Sequence, residues 1–154
     1  MDILTPYHDL KLTIDSLEID ELSNILANIS EEFTPTITSR IPAQEYAIKI
    51  RTYGHTFELF INGELVAFAA GYLNNLAESK GYLTVLYTFP SFRGNGYADL
   101  LLCLVKNTAR KLGIRELSLE VSCENISALK MYISNGFNIS ERKQNLKIGM
   151  RLVL

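Results

Sequence analysis

The chain has 154 residues, is 47% hydrophobic and 21% charged, and carries a net charge of −2. These values are ordinary for a globular protein and favour one domain, residues 1–154, over two. No apolar run approaches the ~18 residues that a membrane span requires, and the N-terminal segment MDILTPYHDLKL lacks the basic and apolar regions of a signal peptide. The sequence therefore predicts a cytoplasmic protein that does not associate with membranes.

Charge is unevenly distributed along the chain. Residues 1–53 contain nine acidic and four basic residues, whereas residues 54–154 contain eight acidic and eleven basic residues. An acidic segment favours a cationic ligand and a basic segment an anionic one. Because solubility alone also explains such a distribution, the asymmetry is only a hint of a cationic acceptor.

The first 53 residues predict one strand and two helices. The segment 9–15, DLKLTID, alternates between apolar and polar residues, as strands do. The segment 16–29 has apolar residues at helical spacing, and Ser16 is a candidate N-cap. Residues 30–42 contain turn-forming residues and predict a loop, and the segment 43–53 predicts a second helix with Pro42 near its start.

The middle of the chain predicts a hairpin followed by a central strand. Two apolar runs, HTFELFI and ELVAFAAGYL, flank Asn62-Gly63. Asn-Gly between apolar runs is the strongest short hairpin signal, because both residues tolerate positive φ. The segment 81–89, GYLTVLYTF, is apolar on both faces and rich in β-branched and aromatic residues, which predicts a strand buried within the sheet.

The C-terminal part alternates helices with strands. Apolar residues recur at i, i+3, i+4 and i+7 from Tyr97 onward, which predicts an amphipathic helix that Gly113 ends. Residues 114–123 predict a strand, Asn125 caps a helix that ends at Gly136, and 147–154 predict a final strand. Because a helix connects the strands at 81–89 and 114–123, these two should be parallel within a mixed sheet.

The loop before the helix at Tyr97 has the composition of an anion-binding site. A helix N-terminus carries unpaired N–H groups and a partial positive charge, and glycines before it remove the side chains that would block a phosphate. Arg93 adds a positive charge beside Gly94 and Gly96. A plain strand-to-helix connection remains the alternative, since tight turns also use glycine.

Two common nucleotide motifs do not fit this loop. A P-loop requires Gly-Lys-Ser or Gly-Lys-Thr at the start of the helix, but the chain reads Gly96-Tyr97-Ala98. The dinucleotide fingerprint requires a third glycine where the chain has Asp99. ATP or NAD binding is therefore a weaker hypothesis, and nucleic-acid binding has no basic stripe to support it.

The loop resembles a motif of the GNAT N-acetyltransferase superfamily. Residues 93–98 read R-x-x-G-x-A, and in that family this pattern cradles the pyrophosphate of acetyl-CoA with backbone N–H groups. A second family signature follows a strand that ends Leu-Glu-Val, and it comprises Asn125, Ala128, Tyr132, Gly136 and Phe137. The resemblance covers about residues 81–139. It implies a GNAT fold of the α/β (α+β) class, with a mixed, mostly antiparallel sheet of six to seven strands, a splayed parallel pair and about four flanking helices.

The resemblance also implies how acetyl-CoA binds as a cosubstrate. Its pantetheine arm would pair with strand backbone exposed between the splayed strands, and such groups are costly to leave unpaired. Its pyrophosphate would bind the glycine loop, and Asn125 would add a side-chain contact, although capping the last helix explains that residue too. The cofactor-binding residues implied in this way are Leu86, Tyr87, Thr88, Arg93, Gly94, Asn95, Gly96, Tyr97, Ala98, Asn125 and Ala128.

Two residues are implied to carry the chemistry. Tyr132 would be the general acid that protonates the departing thiolate, with a core tyrosine as the alternative. Glu120, flanked by Leu119 and Val121, would be the general base for the acceptor ammonium, directly or through water, with a solvent-facing or salt-bridged strand position as the alternative. Together they imply direct attack within a ternary complex, without a covalent enzyme intermediate.

The acceptor is expected on the side formed by the N-terminal helices and the hairpin. The candidate substrate-binding residues there are Tyr46, Lys49, Tyr72 and Asn74, with Glu32, Arg40 and Asn75 nearby. Polar side chains favour a primary amine of a small polar molecule, such as an amino sugar. A protein N-terminal amine or lysine, and a non-catalytic acyl-CoA-binding module, remain alternatives, and a homodimer stays open.

The sequence contains no metal-binding pattern. His8 and His55 are the only histidines and lie far apart, and no C-x-x-C occurs. No metal cofactor is therefore expected. Cys103 and Cys123 lie in apolar runs, so both are expected to be buried free thiols.

Overall fold

A computed structural model describes residues 9–154, which form a seven-stranded sheet with helices on both faces. The strands are β1 (Leu10–Ile14), β2 (His55–Ile61), β3 (Glu64–Asn75), β4 (Lys80–Thr88), β5 (Glu116–Ser122), β6 (Asn138–Arg142) and β7 (Lys147–Val153). The helices are α1 (Ile19–Ile29), α2 (Ala43–Tyr53), α3 (Tyr97–Lys111) and α4 (Ile126–Ser134). Across the sheet the strands follow the order β1-β2-β3-β4-β5-β7-β6.

One neighbouring pair of strands is parallel. β4 and β5 run in the same direction, and α3 connects them. The other neighbouring strands pair antiparallel. The predicted mixed sheet with one parallel pair is therefore confirmed, and so is the Asn62-Gly63 hairpin, whose two residues have φ of 50° and 80°.

Two apolar clusters pack on opposite faces of the sheet. α3 and α4 cover one cluster, and α1 and α2 cover the other. On β3, Ala67 and Ala69 belong to the first cluster, whereas Phe68 and Ala70 belong to the second. Because successive side chains of a strand point to opposite faces, this distribution is that of a strand buried on both sides.

The first helix begins two residues later than an N-cap at Ser16 predicts, because Ser16 has a different role. Glu18 stands at its N-cap position, and the backbone N–H of Glu18 donates to Oε1 of Glu21 at 3.2 Å. Ser16 instead donates its backbone N–H and its hydroxyl to Oε1 of Glu58, at 2.6 and 2.7 Å. These bonds fix the β1–α1 connection to a fully buried carboxyl group on β2.

Two further expectations differ from the structure. The sequence pattern predicts no strand at β6, whose five residues are all exposed and include a single apolar side chain, Ile139. The expected burial of Cys103 is wrong, because α3 turns Leu101, Leu102 and Val105 toward the sheet and leaves Cys103 exposed. Both cysteines are free thiols.

We expect Glu58 to make stability depend on pH. Burial raises the pKa of Glu58 above its usual value of 4.5, so the folded state keeps this proton in a range where the unfolded chain has lost it. The corresponding stability is fully present below about 4.5 and is lost as the pH rises through the folded-state pKa. Urea unfolding from pH 4 to 8 should therefore show a decline that is absent in Glu58→Gln; an unchanged slope in that variant would contradict the assignment.

Candidate active site

The two parallel strands separate partway along their length. β4 and β5 are paired only at Lys80 with Glu116, Gly81 with Leu117 and Tyr82 with Ser118. Beyond these residues β4 continues to Thr88 and β5 to Ser122 without pairing to each other. The slot between them is part of a cleft with a volume of about 1040 Å³.

A β-bulge in β4 lies two residues after Tyr82, the last residue of β4 that is paired with β5. Ala70 of β3 is paired with Val85, but the next residue, Gly71, is paired with Leu83, so Thr84 is an extra residue. A bulge bends its strand and increases the local twist. We attribute the separation of β4 from β5 to this extra residue, which the amino-acid pattern did not predict.

The free edge of β4 presents backbone groups to the slot. The N–H of Phe89 donates to the carbonyl of Val66 on β3 at 3.0 Å. Since backbone groups alternate between the two edges of a strand, Leu86 and Thr88 direct theirs toward the slot. The carbonyl of Thr88 is already bound by Nε of Arg93 at 2.8 Å, so the groups of Leu86 and the N–H of Thr88 are those open to a ligand.

The glycine loop has the geometry of an anion cradle. Gly94 and Gly96 have φ of 82° and 81°, and Gly96 is the N-cap residue of α3. Both glycines line the cleft, as does Ala98 in the first turn of α3. Within residues 9–154, the N–H groups of Gly94, Gly96 and Ala98 donate to no acceptor. These donors at a helix N-terminus suit a phosphate group. Asn95 lies outside the cleft lining and braces the loop by donating to the carbonyl of Phe92 at 3.0 Å.

Arg93 is held by an acidic partner. Its Nη2 lies 3.0 Å from Oε1 of Glu32, and its guanidinium carbon lies 5.2 Å from the ring centroid of Tyr87. The Tyr87 hydroxyl also donates to Glu32. The hydrogen bond from Tyr87, followed by that from Arg93, lowers the pKa of Glu32. The charge of Arg93 is therefore balanced, and its side chain joins the glycine loop to the segment after α1.

Asp99, the acidic residue in the first turn of α3, is hydrogen-bonded to the C-terminal end of α4. Oδ1 of Asp99 accepts a hydrogen bond from Nδ2 of Asn135 at 2.7 Å, which ties α3 to the end of α4.

The start of α4 has the predicted N-cap, because Oδ1 of Asn125 accepts a hydrogen bond from the N–H of Ala128 at 3.1 Å. Asn125 and Ala128 both line the cleft.

Tyr132 is a buried residue whose side chain lines the cleft. Its exposed fraction is 8%, and its ring meets that of Phe137 edge to face with centroids 5.5 Å apart. Burial raises its pKa well above the usual value of 10.0. The phenol therefore keeps its proton at neutral pH, as a general acid requires.

Glu120 also lines the cleft, but its carboxylate is ion-paired. Oε1 of Glu120 lies 2.7 Å from Nζ of Lys143, and the same ammonium lies 3.1 Å from Oε1 of Glu141. The hydrogen bond to Glu120 is the largest cause that raises the pKa of Lys143. A ligand ammonium that uses Glu120 must therefore compete with Lys143 for the carboxylate.

Three of the four predicted acceptor residues lie together. Tyr46, Lys49 and Tyr72 line the cleft, whereas Asn74 is exposed outside its lining. The hydroxyl of Tyr46 is hydrogen-bonded to that of Thr84, the bulge residue. Nζ of Lys49 lies 5.7 Å from the ring centroid of Tyr72.

Sequence reasoning missed three residues at this end of the cleft: Tyr82, Lys143 and Lys147. Tyr82 and Lys147 line it, and burial followed by the charge of Glu120 raises the pKa of Tyr82 to about 12. No local pattern marks them, because they come from β4, the β6–β7 turn and the first residue of β7. Only the sheet order brings these segments together with Glu120.

Within residues 9–154, no group of three or more His, Cys, Asp or Glu side chains is arranged to hold a metal ion. His55 is paired with Asp15, its Nδ1 lying 2.8 Å from Oδ2, and His8 lies outside the described residues. In the same part of the chain, no helix is long and apolar enough to cross a bilayer.

Comparison with known proteins identifies relatives. The model of the acetyltransferase (GNAT) family matches residues 19–137. Over 60 residues the chain is 37% identical to the uncharacterized N-acetyltransferase YycN of Bacillus subtilis (strain 168), a match that covers 39% of this chain and 38% of that protein.

Solved structures share the fold. PaiA N-acetyltransferase from Thermoplasma acidophilum, in complex with coenzyme A, is similar with a TM-score of 0.69 and 19% identity, over 94% of this chain and 99% of that chain. A GNAT family acetyltransferase from Elizabethkingia anophelis with acetyl-CoA bound gives a TM-score of 0.73 and 14% identity, over 95% and 99% of the two chains. Because the family model matches most of the chain and the fold agrees, the protein belongs to the GNAT acetyltransferase family.

Proposed function

We propose that the protein is an N-acetyltransferase that transfers the acetyl group of acetyl-CoA to the primary amine of a small polar molecule. The observation that carries this proposal is the arrangement around one cleft. An unpaired strand edge, a glycine cradle, a carboxylate and a buried phenol all line it. Family membership supports the class of reaction, and the acceptor is inferred from the cleft.

The residues of the cleft suit acetyl-CoA as a cosubstrate. The N–H groups of Gly94, Gly96 and Ala98 would bind the pyrophosphate, since no side chain blocks the positive-φ glycines. The backbone of Leu86 and the N–H of Thr88 would bind the amides of the pantetheine arm. The thioester supplies an activated acetyl group. The relatives bound to coenzyme A or acetyl-CoA support this use of the cleft.

Glu120 and Tyr132 would move the two protons of the reaction. Glu120 accepts a proton from the acceptor ammonium, directly or through water, because only the neutral amine can attack a thioester. As the new C–N bond forms and the C–S bond breaks, Tyr132 donates its phenolic proton to the departing thiolate. Both groups then return to their starting states by exchange with solvent.

One contact favours a second candidate, a coenzyme-binding module without catalysis. Lys143 lies 2.7 Å from Oε1 of Glu120 and thereby occupies the proposed base. Lys143 is partly exposed and lies in the turn between β6 and β7. We therefore expect it to yield the carboxylate to an acceptor ammonium, and turnover measurements decide between the two functions.

Glu120→Gln and Tyr132→Phe should each lower kcat by about 10²- to 10⁴-fold. Each change removes one proton transfer and keeps the shape of the side chain, so affinity for acetyl-CoA should change little. Steady-state kinetics with release of the coenzyme thiol as the readout, together with calorimetric titration of acetyl-CoA, measure the two effects.

Matched controls separate chemistry from folding. Glu116→Gln changes a carboxyl on the same strand that lies outside the cleft lining, and Tyr53→Phe changes a phenol that is 61% exposed. Both controls should retain kcat. Full turnover in Glu120→Gln or Tyr132→Phe would show that the assigned chemistry is wrong, even with the fold unchanged.

Ionisation of Tyr132 should cause no decline in kcat at moderately alkaline pH. Its pKa is raised above the usual 10.0 by burial, so the proton-donating form persists to higher pH than in a free tyrosine. We expect kcat to stay level between about pH 8 and pH 10 at saturating acceptor. A decline in kcat in that range that disappears in Tyr132→Phe would contradict this assignment.

Gly94→Ala should weaken acetyl-CoA binding about tenfold or more. An added Cβ would lie at the surface that the pyrophosphate approaches. Gly113→Ala is a matched control, because Gly113 has φ of 83°, and a Cβ there or at Gly94 (φ 82°) meets no atom within 4 Å. Both variants should lose about 1–2 kcal/mol of stability from the left-handed backbone, but only Gly94→Ala should lose affinity in calorimetry. Equal affinities of Gly94→Ala and Gly113→Ala for acetyl-CoA would show that the glycine loop is not part of the coenzyme site.

A further inference from the structure

The acceptor end of the cleft contains basic side chains without acidic partners. Arg40, Lys49 and Lys147 line this end. Within residues 9–154, none of the three lies within 4.0 Å of a carboxylate oxygen. Two of the carboxylates that line the cleft, Glu32 and Glu120, are bound by Arg93 and Lys143.

Two of these cations lie close to each other and to Glu120. Burial lowers the pKa of Lys147, and the positive charge of Arg40 lowers it further, whereas Glu120 acts in the opposite direction. Glu120 and Arg40 also act on Tyr82, because the charge of Glu120 raises the pKa of its phenol and the charges of Lys143 and Arg40 lower it. Two neighbouring cations at a partly buried site form a local positive potential.

The sheet fixes the spacing between the cations and the proposed base. Glu120 is paired with Gly149, and Ser122 with Lys147, so Glu120 and Lys147 lie on the same face of neighbouring strands. They are diagonal neighbours, which are separated by about 7–8 Å in antiparallel pairs. A ligand that contacts both therefore needs its two charged groups only a few bonds apart.

An unpaired phenol adds an independent sign of a ligand. The hydroxyl oxygen of Tyr72 is buried and has no hydrogen-bond partner within residues 9–154. Tyr72 lines the cleft and is the cross-strand partner of Tyr82. A buried hydroxyl without a partner costs about 1–3 kcal/mol, and a ligand oxygen at this end of the cleft would accept a hydrogen bond from it.

We infer that the acceptor amine carries an oxyanion, a carboxylate or a phosphate, which Arg40 and Lys147 bind while the amine faces Glu120. This inference rests on the proposed function of the same cleft. Tyr46, Tyr72 and Tyr82 also line the cleft, and their rings would pack against the short connection between the two groups. The acceptor class is thus a small zwitterionic amine, such as an amino acid or the phosphate ester of an amino alcohol.

Matched pairs of acceptors test the charge requirement. β-Alanine is compared with β-alaninamide for the carboxylate, and phosphoethanolamine with ethanolamine for the phosphate, at saturating acetyl-CoA. The anionic member of at least one pair should have a kcat/KM about tenfold or more above its neutral counterpart, and added salt should reduce that preference. The pair that shows the preference identifies the oxyanion. Equal values within both pairs would overturn the inference.

Variants assign the preference to the two cations. Arg40→Gln and Lys147→Gln should lower kcat/KM for the anionic acceptor about tenfold and leave that for its neutral counterpart within about twofold. Arg40 is exposed, so its variant should fold normally, which unchanged acetyl-CoA affinity verifies. Lys11→Gln, on edge strand β1 and outside this cleft, is the charge-matched control and should change neither value. Equal losses for both acceptors would contradict the assignment.

A binding measurement distinguishes failure of the inference from failure of the proposed function. If no amine is acetylated, the proposed function fails, and the same compounds are titrated calorimetrically into the complex of the protein with coenzyme A. If β-alanine or phosphoethanolamine binds and this binding is lost in Arg40→Gln, the oxyanion site is supported even without turnover. No binding, or equal binding of the neutral member, overturns the inference.

Discussion

The cleft depends on the point at which β4 and β5 stop pairing. Strands within a sheet normally satisfy their backbone groups on both edges, and each buried group left unpaired costs about 1–3 kcal/mol. Here pairing ends after Tyr82 and Ser118, two residues before the bulge at Thr84. The apolar clusters on the two faces keep both strands in place despite the opening. A ligand that completes the ladder would recover those bonds, as we propose for the pantetheine arm of acetyl-CoA.

The same opening connects the two sides of the proposed reaction. The glycine loop follows β4, and its Arg93 is bound to Glu32, which belongs to the segment between α1 and α2. Tyr87 of β4 donates to the same carboxylate. Of the acidic residues between positions 9 and 53, only Glu32 lines the cleft. The charge asymmetry along the sequence is therefore a poor guide to the charge of the acceptor. The cations that line the acceptor end of the cleft, Lys49 of α2, Lys147 of β7 and Arg40 of the loop before α2, are a better one.

The fold was largely predictable because its elements have strong local patterns. The Asn62-Gly63 turn, the apolar stripe of α3 and the Asn125 cap each depend on neighbours in sequence. The edge strand β6 was not predictable, since its exposed side chains leave no apolar alternation. The role of Ser16 was not predictable either, because its partner, Glu58, is distant in sequence and contributes no local signal.

The site was predictable only where a motif spans consecutive residues. The glycine loop and the segment from Glu120 to Tyr132 are such motifs. The ion pair between Lys143 and Glu120, the bond between Arg93 and Glu32 and the position of Lys147 arise from sheet order and loop packing. These contacts determine which charges a ligand meets, and they become visible only once the chain is folded.

The most direct test of the account is amide hydrogen exchange in the slot, measured by NMR with and without acetyl-CoA. We expect slowed exchange for the N–H groups of Leu86 and Thr88 and for those of Gly94, Gly96 and Ala98, and no comparable change with ATP or NAD. Unchanged exchange at Leu86 and Thr88 in the presence of saturating acetyl-CoA would contradict the claim that the slot between β4 and β5 receives the pantetheine arm.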